Sequence, residues 1–436
     1  MLDIRFIREN PEKVQQNAIN KGYGKLSVKE LLDLDTKRRE LQAKVDGLRE
    51  ERNQNVAKLK ESGGRPDQIT IDTGKRIKTE LSTLESDLSQ VESRFLESLR
   101  LFPNMALDTV PVGRTEEENV EVYRVGEIPN FDWAPKNHAE LAEAKGWLDS
   151  ERAVKVAGSR FLYVKGDLAR LEFALWQYGI DTLTDENLIK GIIEKAGLSG
   201  KVSSKPFTFV LPPAVAKTAV FEATGRLNKL EQTYKIEDED LWLNASAEHT
   251  LSPMYLDEII PESELPIRLV GYTTAFRREA GTYGKDTEGM FRLHQFNKLE
   301  MESFTDAKTS LDEHLFMVAI QEYLMQSLGL PYRVLEKCTA DIGRPNAKGV
   351  DIEVWLPSQE RYRETHTADY ITDYQTRAMK TRVRQADGVV ALAHTNDATA
   401  FSERPLIGII ENFQTVDGDV IVPEVLRKYL GGRGVI

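Results

Sequence analysis

Cysteine is almost missing from this chain. Cys338 stands alone among 436 residues, which excludes an intrachain disulfide and a cysteine-built zinc site. No apolar run approaches the ~18 residues that would mark a membrane span. Neither GxGxxG nor GxxxxGKS/T occurs, so the Rossmann and P-loop routes to nucleotide binding are disfavoured. The opening Met1-Leu2-Asp3-Ile4-Arg5 is ordinary amphipathic sequence with no signal or transit character, so a cytoplasmic protein is expected. Positive charge is in deficit as well, with 58 Lys and Arg against 70 Asp and Glu and a net charge of −12. Such a balance argues against a general nucleic-acid coat, although it leaves room for a local site. A hydrophobic content of 40% and a charged content of 29% fit a globular protein large enough for more than one domain.

What is present centres on Thr273 to Met301, TTAFRREAGTYGKDTEGMFRLHQFNKLEM. It reads as two strands joined by a loop containing Gly281, Gly284 and Gly289. Side chains alternate along a strand, which predicts Arg277 and Glu279 on one face of the first strand. On the second, Arg292, His294, Phe296, Lys298 and Glu300 share a face, and Phe291, Leu293, Gln295, Asn297 and Leu299 take the other. Arginines offer planar forks to phosphate oxygens, and Phe296 offers a ring on which a base can lie. By itself, a charged strand face of this kind is equally the solvated side of a hairpin.

Toward the N-terminus, a short capping segment to about residue 26 precedes two long helical patterns. Leu34, Leu41, Val45, Leu48 and Leu59 form one seam. After a turn at 62–66, Ile77, Leu81, Leu84, Leu88, Val91 and Phe95 form another in alternating four- and three-residue steps. The pair predicts an antiparallel coiled-coil hairpin whose first helix is roughly 50 Å long. Between residues 28 and 101 the chain carries 15 basic and 15 acidic residues. Lys44, Arg49, Arg52, Lys58, Lys60, Arg65, Lys75, Arg76 and Lys78 gather toward the middle and tip. Such a stripe could follow a phosphate backbone or be the solvated face of a dimerisation rod.

Beyond Leu101-Phe102-Pro103-Asn104 a mixed α/β region follows. A helix is predicted around Leu168 to Trp176, and Phe207 to Leu211 reads as a strand stopped by Pro212 and Pro213. Asp351 to Leu356 reads as a further strand, and Arg363-Glu364-Thr365-His366-Thr367 ends a neighbouring one. Glu364 and Thr367 could give hard oxygens to magnesium, but Glu-x-x-Thr is also a commonplace surface pattern. In Ser402 to Phe413, Ser402 suits an N-cap, Pro405 fits a first turn, and Leu406, Ile409, Ile410 and Phe413 share a helical face. Arg404 then sits at the positive end of a buried helix, where an anion is required. A phosphate would serve, and so would a neighbouring carboxylate.

Taken together and in order, these pieces are similar to class II aminoacyl-tRNA synthetases of the seryl-specific type. FRREAGTYGKDTEGMFRLHQFNKLEM resembles their second motif and ERPLIGIIENFQ, with VIVPEVLRKYL, their third motif and ending. Phe209 to Pro213 with Glu222-Ala223-Thr224-Gly225 resembles the end of the first motif, and the match runs over essentially the whole chain. The resemblance implies an α+β fold, a six- or seven-stranded antiparallel sheet flanked by helices, with a homodimer formed around Pro213. It implies a tRNA-binding arm domain over 1–105 and a catalytic domain over 106–436. The implied reaction is ATP-dependent formation of seryl-adenylate and pyrophosphate, then transfer of serine to the 3′-end of tRNA(Ser), with tRNA(Sec) a second candidate acceptor.

By the same resemblance, Arg277 holds the α-phosphate and the serine carboxylate, Glu279 faces the adenine amino group, and Arg292 reaches the γ-phosphate. Phe296 stacks on adenine with Arg404 over the other face, and Glu364 and Thr367 bind Mg2+. Ser246 and Glu248 meet the ammonium and backbone of serine, although Leu243 to Glu248 alone also fits a helix-start cap. Glu300 accepts from the serine hydroxyl, and Asn396 and Ala398 are further pocket positions. Arg49, Arg52, Lys58, Lys75 and Arg76 are the candidate tRNA contacts. A pocket that hydrogen-bonds a substrate hydroxyl rejects alanine, because the carboxylate would be left buried and unpaired.

Departures from the family pattern gather at the serine pocket. Thr365-His366-Thr367-Ala368-Asp369-Tyr370 replaces a Ser- and Cys-rich run that usually ends in Ser-Asn. Asp397-Ala398 replaces Gly-Ser and removes a hydroxyl for which Thr399 could substitute. Arg278 stands where a smaller residue is common, and Ser246 where Thr is usual. An amino acid:carrier-protein ligase would share the core but lack the arm and use a zinc-bound amine site. A catalytically dead RNA-binding paralogue would lose phosphate-facing residues that are intact here.

Overall fold

The computed structural model describes residues 1–61, 67–227, 232–279 and 289–436. The turn at 62–66, with Arg65, and the loop glycines Gly281 and Gly284 lie outside them. The chain divides into two compact units, Met1–Pro103 and Asn104–Ile436.

In the first unit, α1 (Ile4–Glu9) and α2 (Pro11–Asn20) precede two long helices, α3 (Val28–Glu61) and α4 (Gln68–Leu101). Asp67 caps α4, accepting the Thr70 N–H at 2.7 Å, as a short acidic side chain does at a helix start. Leu41, Val45, Ile77, Leu81, Leu88 and Val91 form one buried seam between the long helices, with Leu48 and Leu84 packed beside it. This is the predicted hairpin. Arg49 reaches across to Glu85 at 2.8 Å, Arg76 to Glu51, and Asn55 donates to the Thr70 carbonyl at 3.1 Å. The basic residues near the middle of the arm therefore also tie its two helices together, whereas Arg52, Lys58 and Lys75 remain exposed.

The second unit is organised by an eight-stranded sheet. Its strands are β1 (Val120–Val125), β2 (Thr208–Val210), β3 (Ile267–Phe276), β4 (Gln295–Thr305), β5 (Tyr332–Glu336), β6 (Lys348–Leu356), β7 (Arg361–Thr372) and β8 (His394–Ser402). The spatial order is β1-β5-β6-β7-β8-β4-β3-β2. Every neighbouring pair is antiparallel except β2 with β3, which is parallel. The sheet is thus larger than the six or seven strands expected and not purely antiparallel. The two edge strands, β1 and β2, join the sheet through long-range pairings that local pattern does not reveal.

One face of the sheet is covered by α5 (Gly166–Thr184), α6 (Ser310–Leu328) and α7 (Arg404–Asn412), which pack on it over a single large apolar core. Leu299, Met301, Ala398, Ala400, Phe401 and Ile352 belong to that core. Gly179 lets α5 approach closely, since a Cβ there would lie 2.8 Å from Leu299 and 2.9 Å from Phe401. The opposite face carries the polar residues.

Two irregularities decide which residues reach that polar face. On β7, Ile352 pairs with His366 but Glu353 with Glu364, so Thr365 is an extra residue. On β8, Thr399 pairs with Glu300 but Phe401 with Leu299, so Ala400 is another. A β-bulge of this kind reverses the alternation beyond it.

Candidate active site

The central residues of β4 give the site its floor. Alternation sends Leu299 and Met301 into the core and Phe296, Lys298 and Glu300 to the polar face. β3 ends at Phe276 and β4 begins at Gln295, so Arg277, Glu279 and Arg292 lie beyond the strands predicted to hold them. Arg277 still continues the pairing, its N–H donating to the His294 carbonyl at 2.9 Å. Glu279 has φ of +44°, which takes it out of the extended chain and ends the shared face with Arg277. Even so, Glu279 and Arg292 meet in an ion pair at 3.3 Å.

These groups enclose a cavity of about 280 Å³ lined by Arg277, Glu279, Arg292, Phe296, Glu364, Thr367 and Arg404 at one end. Arg226, Lys298, Lys337, Asp369 and Thr399 line the rest. The guanidinium of Arg277 lies over the Phe296 ring, 5.1 Å from its centroid, while its Nε donates to the Ala245 carbonyl at 3.2 Å. Arg363 and Arg404 both face Phe291, at 4.0 and 5.2 Å. A flat group entering here meets an aromatic face and several planar cations.

Arg404 opens α7, whose N-cap is Glu403 rather than the expected Ser402. Ser402 nevertheless accepts the Arg404 N–H at 3.3 Å, because the Ala400 bulge turns it toward the cavity. Arg404 donates to the Glu364 carbonyl at 2.9 Å and pairs with the Glu364 carboxylate at 3.2 Å. The Glu364 side chain is 47% exposed; the crowding of protein around it works against its charge, but Arg404, Lys337 and Arg277 outweigh that and hold its pKa below the usual carboxylate range. The Thr365 bulge brings Glu364 and Thr367 onto the same face, although they are three positions apart. Thr367 Oγ1 is buried without a hydrogen-bond partner. An ionised carboxylate beside an unsatisfied hydroxyl suits a hard cation that takes its remaining ligands from phosphates. Among the described residues no cluster of three or more His, Cys, Asp and Glu forms a metal cage.

Lys298 lines the cavity, whereas Ser246, Glu248 and Glu300 are buried behind that lining; Lys298 pairs with Glu300 at 2.6 Å and donates to Ser246 Oγ at 3.1 Å. Ser246 in turn donates to Glu300 at 3.4 Å. Burial pushes the Glu300 carboxyl up to about 7, against the pull of Lys298. Burial also opposes charge on Glu248, but Lys298, His249 and Arg226 hold its pKa well down. The Ala245 N–H donates to His249 Nδ1 at 3.2 Å, and burial lowers that imidazole to about 4.

Asn396 and Ala398 do not join this group. Plain alternation back from Ser402 would put both on its face, but the Ala400 bulge turns them to the other side. Asn396 donates to Ser303 at 3.3 Å and to the Ser310 carbonyl at 3.2 Å, and Ala398 is buried in the core. The polar face carries Asp397 and Thr399 instead, opposite Glu302 and Glu300. Arg226 and Lys337 were not singled out from sequence. A lone cation after a glycine gives no local signal, and Lys337 acquires meaning only through Asp341 and Asp351, at 3.4 and 3.3 Å.

A polar cavity on a large, mainly antiparallel sheet, ringed by arginines around a phenylalanine and carried by the second and third motifs, defines a class II aminoacyl-tRNA synthetase. Sequence comparison agrees: residues 232–413 match the tRNA synthetase class II core domain (G, H, P, S and T), and residues 1–106 match the seryl-tRNA synthetase N-terminal domain. A serine–tRNA ligase of Thermodesulfovibrio yellowstonii is 40% identical over 99% of both chains. Among solved structures, seryl-tRNA synthetase from Pyrococcus horikoshii, complexed with ATP, has a TM-score of 0.88 and 35% identity, covering 100% of this chain and 99% of its own. Cytoplasmic serine–tRNA ligase from Naegleria fowleri, in complex with AMP, has a TM-score of 0.82 and 29% identity, covering 100% and 98%. The chain belongs to the seryl-tRNA synthetase family, and its activity is that of a serine–tRNA ligase.

Proposed function

We propose that the cavity binds ATP and serine side by side and uses its own residues as follows. Adenine stacks on Phe296 with Arg404 over its other face, and Glu279 faces the exocyclic amine. Arg277 takes the α-phosphate together with the serine carboxylate, and Arg292 takes the γ-phosphate. One carboxylate oxygen of serine attacks the α-phosphorus in line, the bond to the bridging oxygen breaks, and pyrophosphate leaves. A ribose hydroxyl of the terminal tRNA adenosine then attacks the acyl carbon, and AMP departs with the bonding electrons.

Nucleotidyl transfer needs charge neutralisation and alignment more than a protein nucleophile, and Arg277, Arg292 and Arg404 provide both. Magnesium would be held by Glu364 and Thr367 and would neutralise phosphate charge when bound. Glu300, held by Lys298 and Ser246 beside it, accepts from the serine hydroxyl, and Ser246 and Glu248 meet the serine ammonium and backbone. We further assign tRNA(Ser) to the arm domain over 1–105, catalysis to 106–436, a homodimer around Pro213, and a cytoplasmic setting. No helix among the described residues is long and apolar enough to cross a membrane.

The observation that carries this reading is the convergence of Arg277, Arg292, Phe296, Glu364 and Arg404 on one cavity. Serine-dependent ATP–pyrophosphate exchange tests it. Arg277→Ala should lower exchange at least ~100-fold while the circular dichroism spectrum is unchanged, and full exchange by a folded Arg277→Ala enzyme would remove the arginine from its role.

A further inference from the structure

His138 lies outside the motifs that the reaction draws on, yet it is hydrogen-bonded to two of them. It opens the short helix His138–Ala144 and is 3% exposed. Its backbone N–H donates to Glu411 Oε1 at 3.1 Å, and its Nδ1 stands 2.9 Å from the same oxygen. Glu411 belongs to α7, the helix that Arg404 opens. It is fully buried, and its Oε2 accepts from the N–H and the hydroxyl of Ser358 at 3.2 and 2.7 Å. With donors on both oxygens, Glu411 is a fixed anchor. On the other edge of the ring, the Met290 N–H donates to His138 Nε2 at 3.3 Å. Nε2 must then carry the lone pair, which leaves the ring proton on Nδ1, aimed at Glu411. Gly289 presses on the same edge, with φ of +61° and so little room that a Cβ would come within 2.5 Å of Nε2.

Met290 is followed directly by Phe291, whose ring is faced by Arg363 at 4.0 Å and Arg404 at 5.2 Å. Next comes Arg292, which meets Glu279 at 3.3 Å. A backbone pinned at Met290 therefore sets where both side chains begin, while His138 does not itself line the cavity. We propose that His138, oriented by Glu411, is a positioning residue for ATP. By holding the Met290 N–H it places Phe291 and Arg292 against the Arg404 end of the cavity, so that Arg292 reaches the γ-phosphate. The inference rests on the assignment of Arg292 to the γ-phosphate in the proposed reaction. Packing alone would ask only for the shape of the ring, whereas this role needs an acceptor at Nε2.

His138→Asn and His138→Gln separate the two edges of the ring. Asparagine keeps a donor near Nδ1 and loses the acceptor for Met290; glutamine sets an amide oxygen near Nε2 and loses the side-chain bond to Glu411. Isothermal titration compares the full chains, with Mg2+, on two probes: α,β-methylene-ATP, which carries a γ-phosphate, and seryl-sulfamoyl-adenosine, which does not. His138→Asn should bind the ATP analogue at least ~10-fold more weakly than wild type and the seryl probe within ~3-fold, whereas His138→Gln should stay within ~3-fold on both. In serine-dependent exchange, kcat/KM for ATP should fall at least ~30-fold in His138→Asn and less than ~5-fold in His138→Gln. Each variant loses one buried hydrogen bond, so a purely structural residue would affect the two alike. Equal losses in the two variants, or a loss that falls on both probes, would overturn the assignment. A wild type that binds neither probe overturns the ATP- and serine-binding reading as well, whereas tight wild-type binding with equal variants sinks the role of His138 alone. Should His138→Asn not fold, Gly289→Ala, whose Cβ would push Met290 from the ring, must give the same split between the probes.

Discussion

Arg226 faces three carboxylates from one buried position, and removing its charge is the sharpest test of how the inner pocket is held together. The side chains of Arg226, Asp397, Asp369 and Glu248 are 15%, 3%, 8% and 9% exposed, so water screens them little. Arg226→Gln strands Asp397 in the interior. Breaking a buried pair from one side typically costs about 3–5 kcal/mol, whereas replacing both partners is often close to neutral. Arg226→Gln/Asp397→Asn should therefore recover at least ~2 kcal/mol relative to Arg226→Gln. Burial first, and then repulsion from Asp369, Glu248 and Glu300, pushes Asp397 well above its ordinary range even with Arg226 present. In Arg226→Gln it rises further, so protonation limits the damage at low pH. A carboxyl raised in the folded state contributes stability below its unfolded pKa and loses it as pH rises. The cost of Arg226→Gln should accordingly be larger at pH 8 than at pH 6, by up to ~1.4 kcal/mol per pH unit in the window where Asp397 titrates. Tryptophan fluorescence during urea unfolding is the assay. All five tryptophans (133, 147, 176, 242 and 355) lie in the Asn104–Ile436 unit, so the signal is not mixed with melting of the arm. If the double variant is no more stable than Arg226→Gln, the two residues are not coupled and the electrostatic account fails.

Two further outcomes follow from the same physics. His314 is fully buried with both ring nitrogens unpartnered, and burial, with a smaller push from Lys348, holds it down to about 3. A base depressed in the folded state is stabilising above its unfolded pKa and becomes a liability as pH falls. His314→Met should thus gain ~2 kcal/mol relative to wild type between pH 6.5 and pH 5, read from urea midpoints at the two values; a pH-independent difference would show that His314 is not held neutral. Deleting residues 30–97 should leave serine-dependent exchange within ~3-fold and cut tRNA charging at least ~100-fold, since a long rigid helical hairpin reads RNA shape and backbone. Unchanged charging would show that the arm is not the tRNA reader.

Much of this protein follows from local periodicity. The coiled-coil seam, the strand that sends Phe296, Lys298 and Glu300 to one side and Leu299 to the other, and the buried face of the Arg404 helix are all written in spacing. They hold because helix and strand side chains repeat at fixed intervals wherever the element is regular. The ordered motifs likewise make the family legible in the sequence alone.

Where regularity breaks, only the tertiary structure decides. The extra residue at Thr365 is what makes partners of Glu364 and Thr367. The one at Ala400 turns Ser402 inward and carries Asn396 and Ala398 to the opposite face, contrary to expectation. Glu279 leaves its strand through a positive φ, and Arg226 reaches Asp397, 171 positions along the chain, with nothing nearby to announce it. Bulges and buried ion pairs of this kind are set by which strand lies beside which, and that register belongs to the whole sheet rather than to any stretch of sequence within it.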